Sequence, residues 1–126
     1  MSSDMAEQAE NSDRIFNVNL DDFESRVIEV SSHHPVLVDF WADWCPPCIA
    51  IAPIMEKAVN AWESEIELAK LEVDEGDNMK IAGRYQVRGF PTIIAFINGE
   101  EHGRFSGAKS LLFVEQFIAD AIASTG

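Results

Sequence analysis

An α/β architecture is written into the order of the apolar patterns in this chain. They succeed one another as β-α-β-α-β-α-β-β-α, which yields a mixed five-stranded sheet flanked by four helices on both faces. Three observations carry that order. The run Val36-Leu37-Val38-Asp39-Phe40-Trp41 is apolar on both faces apart from one acid, as in a strand buried between layers. Thr92 to Ile97 is β-branched and aromatic and leads into Asn98-Gly99, a strong two-residue hairpin signal. Elsewhere the apolar residues recur every three or four positions, the period of a helix with one buried face.

Taken in order, residues 1–13 are polar and acidic without periodicity, and are expected to form a flexible extension ahead of one domain over residues 14–126. A short apolar segment follows at Ile15 to Val18. Asn19 is placed to cap a helix with the buried stripe Leu20, Phe23, Val27 and Val30, ending near Ser31. Pro35 opens the buried strand. From Pro46 a helix presents Ile51, Met55, Ala58 and Trp62 on one face, with Pro53 expected to kink it. Ile66 to Val73 reads as a strand, Asp77 to Arg84 as a short helix, and roughly Glu101 to Phe105 as the hairpin partner of Thr92 to Ile97. The last helix carries Leu111, Val114, Ile118 and Ala121 or Ile122 on its apolar side. Crossover units of this kind predict parallel strands followed by one antiparallel hairpin.

An apolar share of 47% in 126 residues supports a single core and leaves no room for a second domain. Its 22 acidic against 9 basic residues give a net charge of −13, which repels a phosphate backbone and argues against nucleic acid and anionic membrane as partners. The same acidity favours solubility. No apolar run reaches membrane-spanning length, and the first residues lack the basic-then-apolar order of a secretory signal, so a cytoplasmic location is expected. The only two cysteines, Cys45 and Cys48, cannot supply a structural disulfide framework. In a reducing compartment such a Cys-x-x-Cys pair is catalytic or metal-binding.

Cys45 falls where a strand gives way to a helix, so its sulfur lies near the positive end of the helix dipole, which favours thiolate over thiol. It is the candidate nucleophile. Cys48, one helical turn on, is within reach of that sulfur and is the candidate resolving thiol. The cycle this predicts is attack of the Cys45 thiolate on a substrate disulfide, then attack of Cys48 on Cys45 to release the reduced substrate. Pro47 has no N–H to offer a capping sulfur, which leaves the Cys48 N–H as the near donor. Pro46 suits the first helical position, yet a residue before proline is pushed away from helical dihedrals, a local conflict of the kind found at functional sites. This stiff, donor-poor turn is expected to shift the redox potential relative to a glycine-proline version.

These residues resemble the thioredoxin family. The matching stretches are VDFWADWCPPC (38–48), IAPIMEKAV (51–59), LAKLEVD (68–74), RYQVRGFPT (84–92), FINGE (96–100) and FSGA (105–108), in the family's order and spacing. The resemblance implies the thioredoxin fold over residues 14–126 and an enzyme that reduces protein disulfides. It makes Asp39 the family's buried carboxylate behind the cysteines, raised in pKa by desolvation and suited to take the proton from Cys48. Lys70 matches the lysine that approaches this acid. Pro91 looks like the family's cis-proline, packed against the disulfide, with the Phe90 backbone offered to an incoming peptide. Trp44 is the exposed indole beside the site and Trp41 the more buried one, and Gly107 is a groove-edge glycine. With Pro46 and Pro47, the residues Trp44, Phe90, Pro91 and Gly107 make up the implied substrate-binding surface. Implied partners are disulfide-containing proteins and an NADPH-dependent thioredoxin reductase as electron donor. The protein itself is expected to be a monomer with no cofactor or metal.

Two positions depart from the family's pattern. Ile49 stands where a lysine or arginine is common, and Pro46 replaces the commoner glycine. Losing a cation near the sulfur removes one source of thiolate stabilisation and one docking charge, while Asp43, Asp74 and Glu75 leave the rim acidic and suited to basic substrate surfaces. Rival readings of the same residues are half of a zinc site completed by His33, His34, His102 or carboxylates, an interaction or co-chaperone module with incidental redox activity, and an oxidant or isomerase on the same fold. The three histidines fit surface loops, and Met55 and Trp62 stand at core spacing.

Overall fold

The computed structural model describes residues 13–125, so the expected extension lies, apart from Asp13, outside the described residues. The strands are β1 (Ile15–Asn17), β2 (Val36–Trp41), β3 (Glu67–Glu72), β4 (Thr92–Ile97) and β5 (Glu100–Ser106), joined in one sheet in the order β1-β3-β2-β4-β5. β1 and β2 both pair in parallel with β3, and β4 pairs antiparallel with β2 and β5. The hairpin forms at Asn98-Gly99 as its composition predicts. Both residues take positive φ, 55° and 80°, the combination that matches the strands' right-handed twist.

The direction of β4 corrects the expectation of parallel strands up to the hairpin. Thr92, at the start of β4, lies opposite Phe40 near the end of β2, so the two strands run antiparallel. Length explains it. The helix between β3 and β4, α3 (Met79–Arg84), has 6 residues and spans about 9 Å. A strand of 6 residues such as β3 spans about 20 Å. α3 is too short to carry the chain back to the far end of the sheet, so β4 starts where β2 and β3 finish.

Strand alternation divides the core in two. Val36, Val38 and Phe40 point to one face, under Phe23, Val27, Ile81 and Ala82. Leu37, Leu68 and Ile93 point to the other, under Ile51, Met55 and Val59 of α2 (Pro46–Ala61) and Val114, Ile118 and Ala121 of α4 (Leu111–Ala123). Asp39, two residues after Leu37, points to this second face and is 1% exposed. α2 continues through Pro53. The proline and Ile49, whose carbonyl loses its helical donor, are both exposed residues on the solvent side of the helix. The Arg14 guanidinium donates to the carbonyls of Val59 (2.8 Å) and Trp62 (2.6 Å), tying β1 to the C-terminal end of α2.

The first helix differs from the regular one its spacing predicts. It is built of three pieces, a tight turn at Leu20–Asp22, a wide π-type stretch at Glu24–Ile28 and a second tight turn at Val30–Ser32, together termed α1. Phe23 and Val27 are buried as the stripe requires, whereas Leu20 and Val30 are only half-buried. The ends are held by contacts from elsewhere in the chain. The Ser31 hydroxyl donates to Ile28 O and accepts from Gly99 N–H, and Asn98 N–H donates to Ser31 O. At the other end Asn19 Oδ1 accepts from Asn78 Nδ2 at 2.9 Å. The wide stretch thus lies between two ends that are each anchored by contacts from outside the helix.

Asn78 is 1% exposed and joins three elements. Its Oδ1 accepts from Leu20 N–H at 2.8 Å, while Nδ2 donates to Asn19 Oδ1 and to Glu72 O, each at 2.9 Å. Asn78→Ala is expected to lower unfolding stability by about 2–4 kcal/mol, because the Leu20 N–H and Glu72 carbonyl lose partners away from water. A urea midpoint lowered at constant slope is the signature; an unchanged midpoint contradicts the role.

Candidate active site

The turn after β2 delivers Cys45 in extended conformation (φ −108°, ψ 101°) as the cap of α2, with Pro46 and Pro47 as the first two helical residues. Cys45 and Cys48 form a disulfide with Cα atoms 5.3 Å apart. Cys48 N–H donates to Cys45 Sγ at 3.3 Å, the donor left once Pro46 and Pro47 are discounted. The helix N-terminus therefore aims one N–H and its dipole at the Cys45 sulfur. Both cysteines are buried, at 4% and 1% exposure; Cys45 Sγ lies against the Phe90 carbonyl, while Cys48 lines a cavity with Asp39.

The antiparallel course of β4 brings a distant segment to this sulfur. The Phe90–Pro91 peptide bond is cis, and Phe90 O lies 3.5 Å from Cys45 Sγ. The Phe90 ring meets Trp44 edge-on at 6.1 Å between centroids. Trp44 is 61% exposed, with its indole N–H donated to Asp74 Oδ2 at 2.6 Å. Gly107 N–H donates to Pro91 O at 2.9 Å. Gly107 has φ +87°, and a Cβ built there meets nothing within 4 Å, so its backbone conformation rather than crowding calls for glycine. Pro46, Pro47 and Ile49 are exposed on the same rim. Trp44, Pro46, Pro47 and Phe90 thus lie next to Cys45 in sequence or space, and Pro91 and Gly107 extend this surface through their hydrogen bond.

Behind the disulfide lies a cavity of about 160 Å³ lined by Asp39, Trp41, Cys48, Ile49, Ala52 and Lys70. Burial pushes the Asp39 carboxyl up to about 7, with Lys70 opposing the rise and Glu56 adding to it. Asp39 Oδ1 has no hydrogen-bond partner. Lys70 stands opposite Asp39 in the β2–β3 register, but its ammonium donates to Glu56 Oε2 at 3.0 Å. Glu56 did not stand out in the sequence. The signal was its spacing: Cys48, Ala52 and Glu56 are four apart on α2 and share one stripe.

The outer rim is acidic. Partial burial, then the neighbouring Asp43, Glu75 and Asp74, hold the Glu72 carboxyl above its ordinary value. Among the described residues, no group of three His, Cys, Asp or Glu side chains is arranged to hold a metal ion. His33 and His102 are exposed, while His34 is half-buried with Nε2 3.0 Å from Glu67 Oε2. No helix among the described residues is long and apolar enough to cross a membrane.

Comparison with known proteins agrees with this geometry. The thioredoxin family model matches residues 14–120. The chain is 39% identical over 107 residues to a thioredoxin of Acidithiobacillus ferridurans, covering 85% of this chain and 95% of that one. It is 38% identical over 111 residues to a probable thioredoxin-2 of Caenorhabditis elegans, covering 87% and 74%. It is also 39% identical over 93 residues to a bifunctional thioredoxin reductase/thioredoxin of Mycobacterium leprae, covering 74% of this chain and 20% of that longer one. Matched along nearly the whole described length and carrying a Cys-x-x-Cys disulfide at a helix N-terminus, this chain belongs to the thioredoxin family of thiol–disulfide oxidoreductases.

Proposed function

We propose that this enzyme works as a general reductase of protein disulfides in the cytoplasm, recharged by an NADPH-dependent thioredoxin reductase. The observation that carries the reading is the different setting of the two cysteines, with Cys45 Sγ against the Phe90 carbonyl beside the exposed Trp44 and Cys48 lining the cavity it shares with Asp39. In the first step the Cys45 thiolate attacks one sulfur of a substrate disulfide. An S–S bond forms to Cys45, the substrate S–S bond breaks, and the leaving thiolate takes a proton from solvent. In the second step Cys48 gives its proton to the Asp39 carboxylate and attacks Cys45 Sγ. The Cys45–Cys48 bond forms, the mixed-disulfide bond breaks and the second substrate thiolate takes a proton from solvent, so the substrate leaves as a dithiol whose two electrons have come from the cysteine pair. Asp39 suits the acceptor role because a carboxyl titrating at about 7 exchanges its proton readily near neutrality. The cavity it shares with Cys48 is roomy enough for a water molecule to carry the proton.

The partners follow from the rim. Backbone groups of Phe90 and the exposed Trp44 suit an extended peptide, and Asp43, Asp74 and Glu75 favour basic flanking residues. The fusion of a reductase to a thioredoxin in the mycobacterial relative supports a reductase as donor. The deciding assay is insulin reduction by the purified protein with a thioredoxin reductase and NADPH as the sole electron source. NADPH oxidation matching insulin thiols released is expected. Insulin reduction with dithiothreitol but not with the reductase overturns the donor assignment, and none with either overturns the reductase reading.

A further inference from the structure

Lys70 has two carboxylates to choose between, and it is bonded to the outer one. It stands opposite Asp39 in register, and both line the cavity that Cys48 closes. Its Nζ nonetheless donates to Glu56 Oε2 at 3.0 Å, while Asp39 Oδ1 is buried without a partner. Glu56 reaches this point because α2 places it two turns beyond Cys48 on the stripe that passes Ala52. We propose that Glu56 is a positioning residue, which draws the Lys70 ammonium away from Asp39 and so leaves the buried carboxylate able to hold the proton given up by Cys48.

The physical basis is the competition for one cation. An ammonium bonded to a buried carboxylate stabilises the ionised form and weakens its hold on a proton. A second carboxylate that takes that ammonium cancels much of the effect, and its own negative charge adds to the rise. The charged and titratable groups facing Asp39 are Lys70 from β3 and Glu56 and Cys48 from α2. β4 places Ile93 opposite Asp39 and brings no charge there. Lys70 lowers and Glu56 raises the proton affinity of Asp39, in that order of size. Glu56 is itself partly exposed, with a side chain 40% accessible, so changing it leaves the buried layers intact.

The inference rests on Asp39 as the proton acceptor, and the test separates the two. The carboxyl carbon of Asp39 is titrated by NMR in the oxidised wild type, Glu56→Gln, Lys70→Met and the double variant. Glu56→Gln is expected to lower the Asp39 midpoint by about one pH unit or more, a tenfold loss of proton affinity. Lys70→Met is expected to raise it, and Glu56→Gln is expected to shift it less in the Lys70→Met background than alone. The acid limb of the pH profile for resolving a preformed mixed disulfide should move down with the midpoint. An Asp39 midpoint unmoved or raised in Glu56→Gln overturns the positioning role, whatever happens to thermal stability. An Asp39→Asn variant that resolves mixed disulfides with the wild-type pH profile overturns the acceptor reading instead, while the midpoint comparison still decides the role of Glu56.

Discussion

Above pH 8, Asp39→Asn is expected to make the protein more stable than wild type by about 4 kcal/mol while slowing its turnover. In the folded protein the Asp39 carboxyl titrates at about 7 against an ordinary 3.8, because burial disfavours its charged form. The folded state therefore holds this proton more tightly than the unfolded chain does. Its contribution to stability is complete below the unfolded pKa and is lost as pH rises through about 7. The roughly three-unit difference corresponds to about 4 kcal/mol. Asparagine keeps the shape and removes the charge, so the two proteins should be nearly equal at pH 4 and diverge steadily up to pH 8. Urea unfolding of both proteins with the disulfide intact measures the difference directly. A stability difference that does not change with pH would show that Asp39 titrates normally. Turnover should fall on the order of 10²-fold, the usual worth of a positioned general base. Stability withheld at a proton-transfer site is the trade expected where a charge is buried for chemistry.

Cys48→Ser should stop the cycle halfway. With Cys45 left as a thiol against the Phe90 carbonyl and no second sulfur beside it, the first attack proceeds and the adduct has no internal route to resolution. Turnover is expected to fall by on the order of 10³-fold or more, as when one member of a concerted pair is removed. Intact mass should show the protein plus one substrate chain, released by dithiothreitol. Cys45→Ser should form no such adduct, because Cys48 faces the cavity it shares with Asp39 and not the Trp44–Phe90 side where an incoming disulfide is received. An adduct on Cys45→Ser in place of Cys48→Ser would reverse the assigned order of attack.

The parts of this molecule that were legible from residues alone are those set by local physics. Thr92 to Ile97 matches β4 residue for residue because β-branched and aromatic side chains and the Asn98-Gly99 turn act within a few positions. α4 keeps its 3.6-residue stripe for the same reason, with Ser110 accepting from Phe113 N–H at its start. α1 was legible as a buried stripe but not as a wide helical turn. Spacings of three and four fit both forms, whereas the contacts that Asn78 and Gly99 make at its two ends come from distant parts of the chain. Likewise nothing in the sequence around Arg14 signals that its guanidinium caps α2.

The reaction class was determined by the sequence: two cysteines one helical turn apart, at a strand-to-helix junction with proline in the first turn, make a disulfide-forming pair at a helix N-terminus through contacts local to the chain. What only the tertiary structure decided is what surrounds them. A six-residue α3 too short to cross the sheet turns β4 around and sets the Phe90 carbonyl beside Cys45, with Gly107 bonded to Pro91 next to it. The pairing of β2 with β3, and the packing of α2 over them, bring Asp39, Lys70 and Glu56 together and leave Lys70 with the outer carboxylate. Such placements depend on chain lengths and on competition between groups far apart in sequence, and no local pattern encodes the result of that competition.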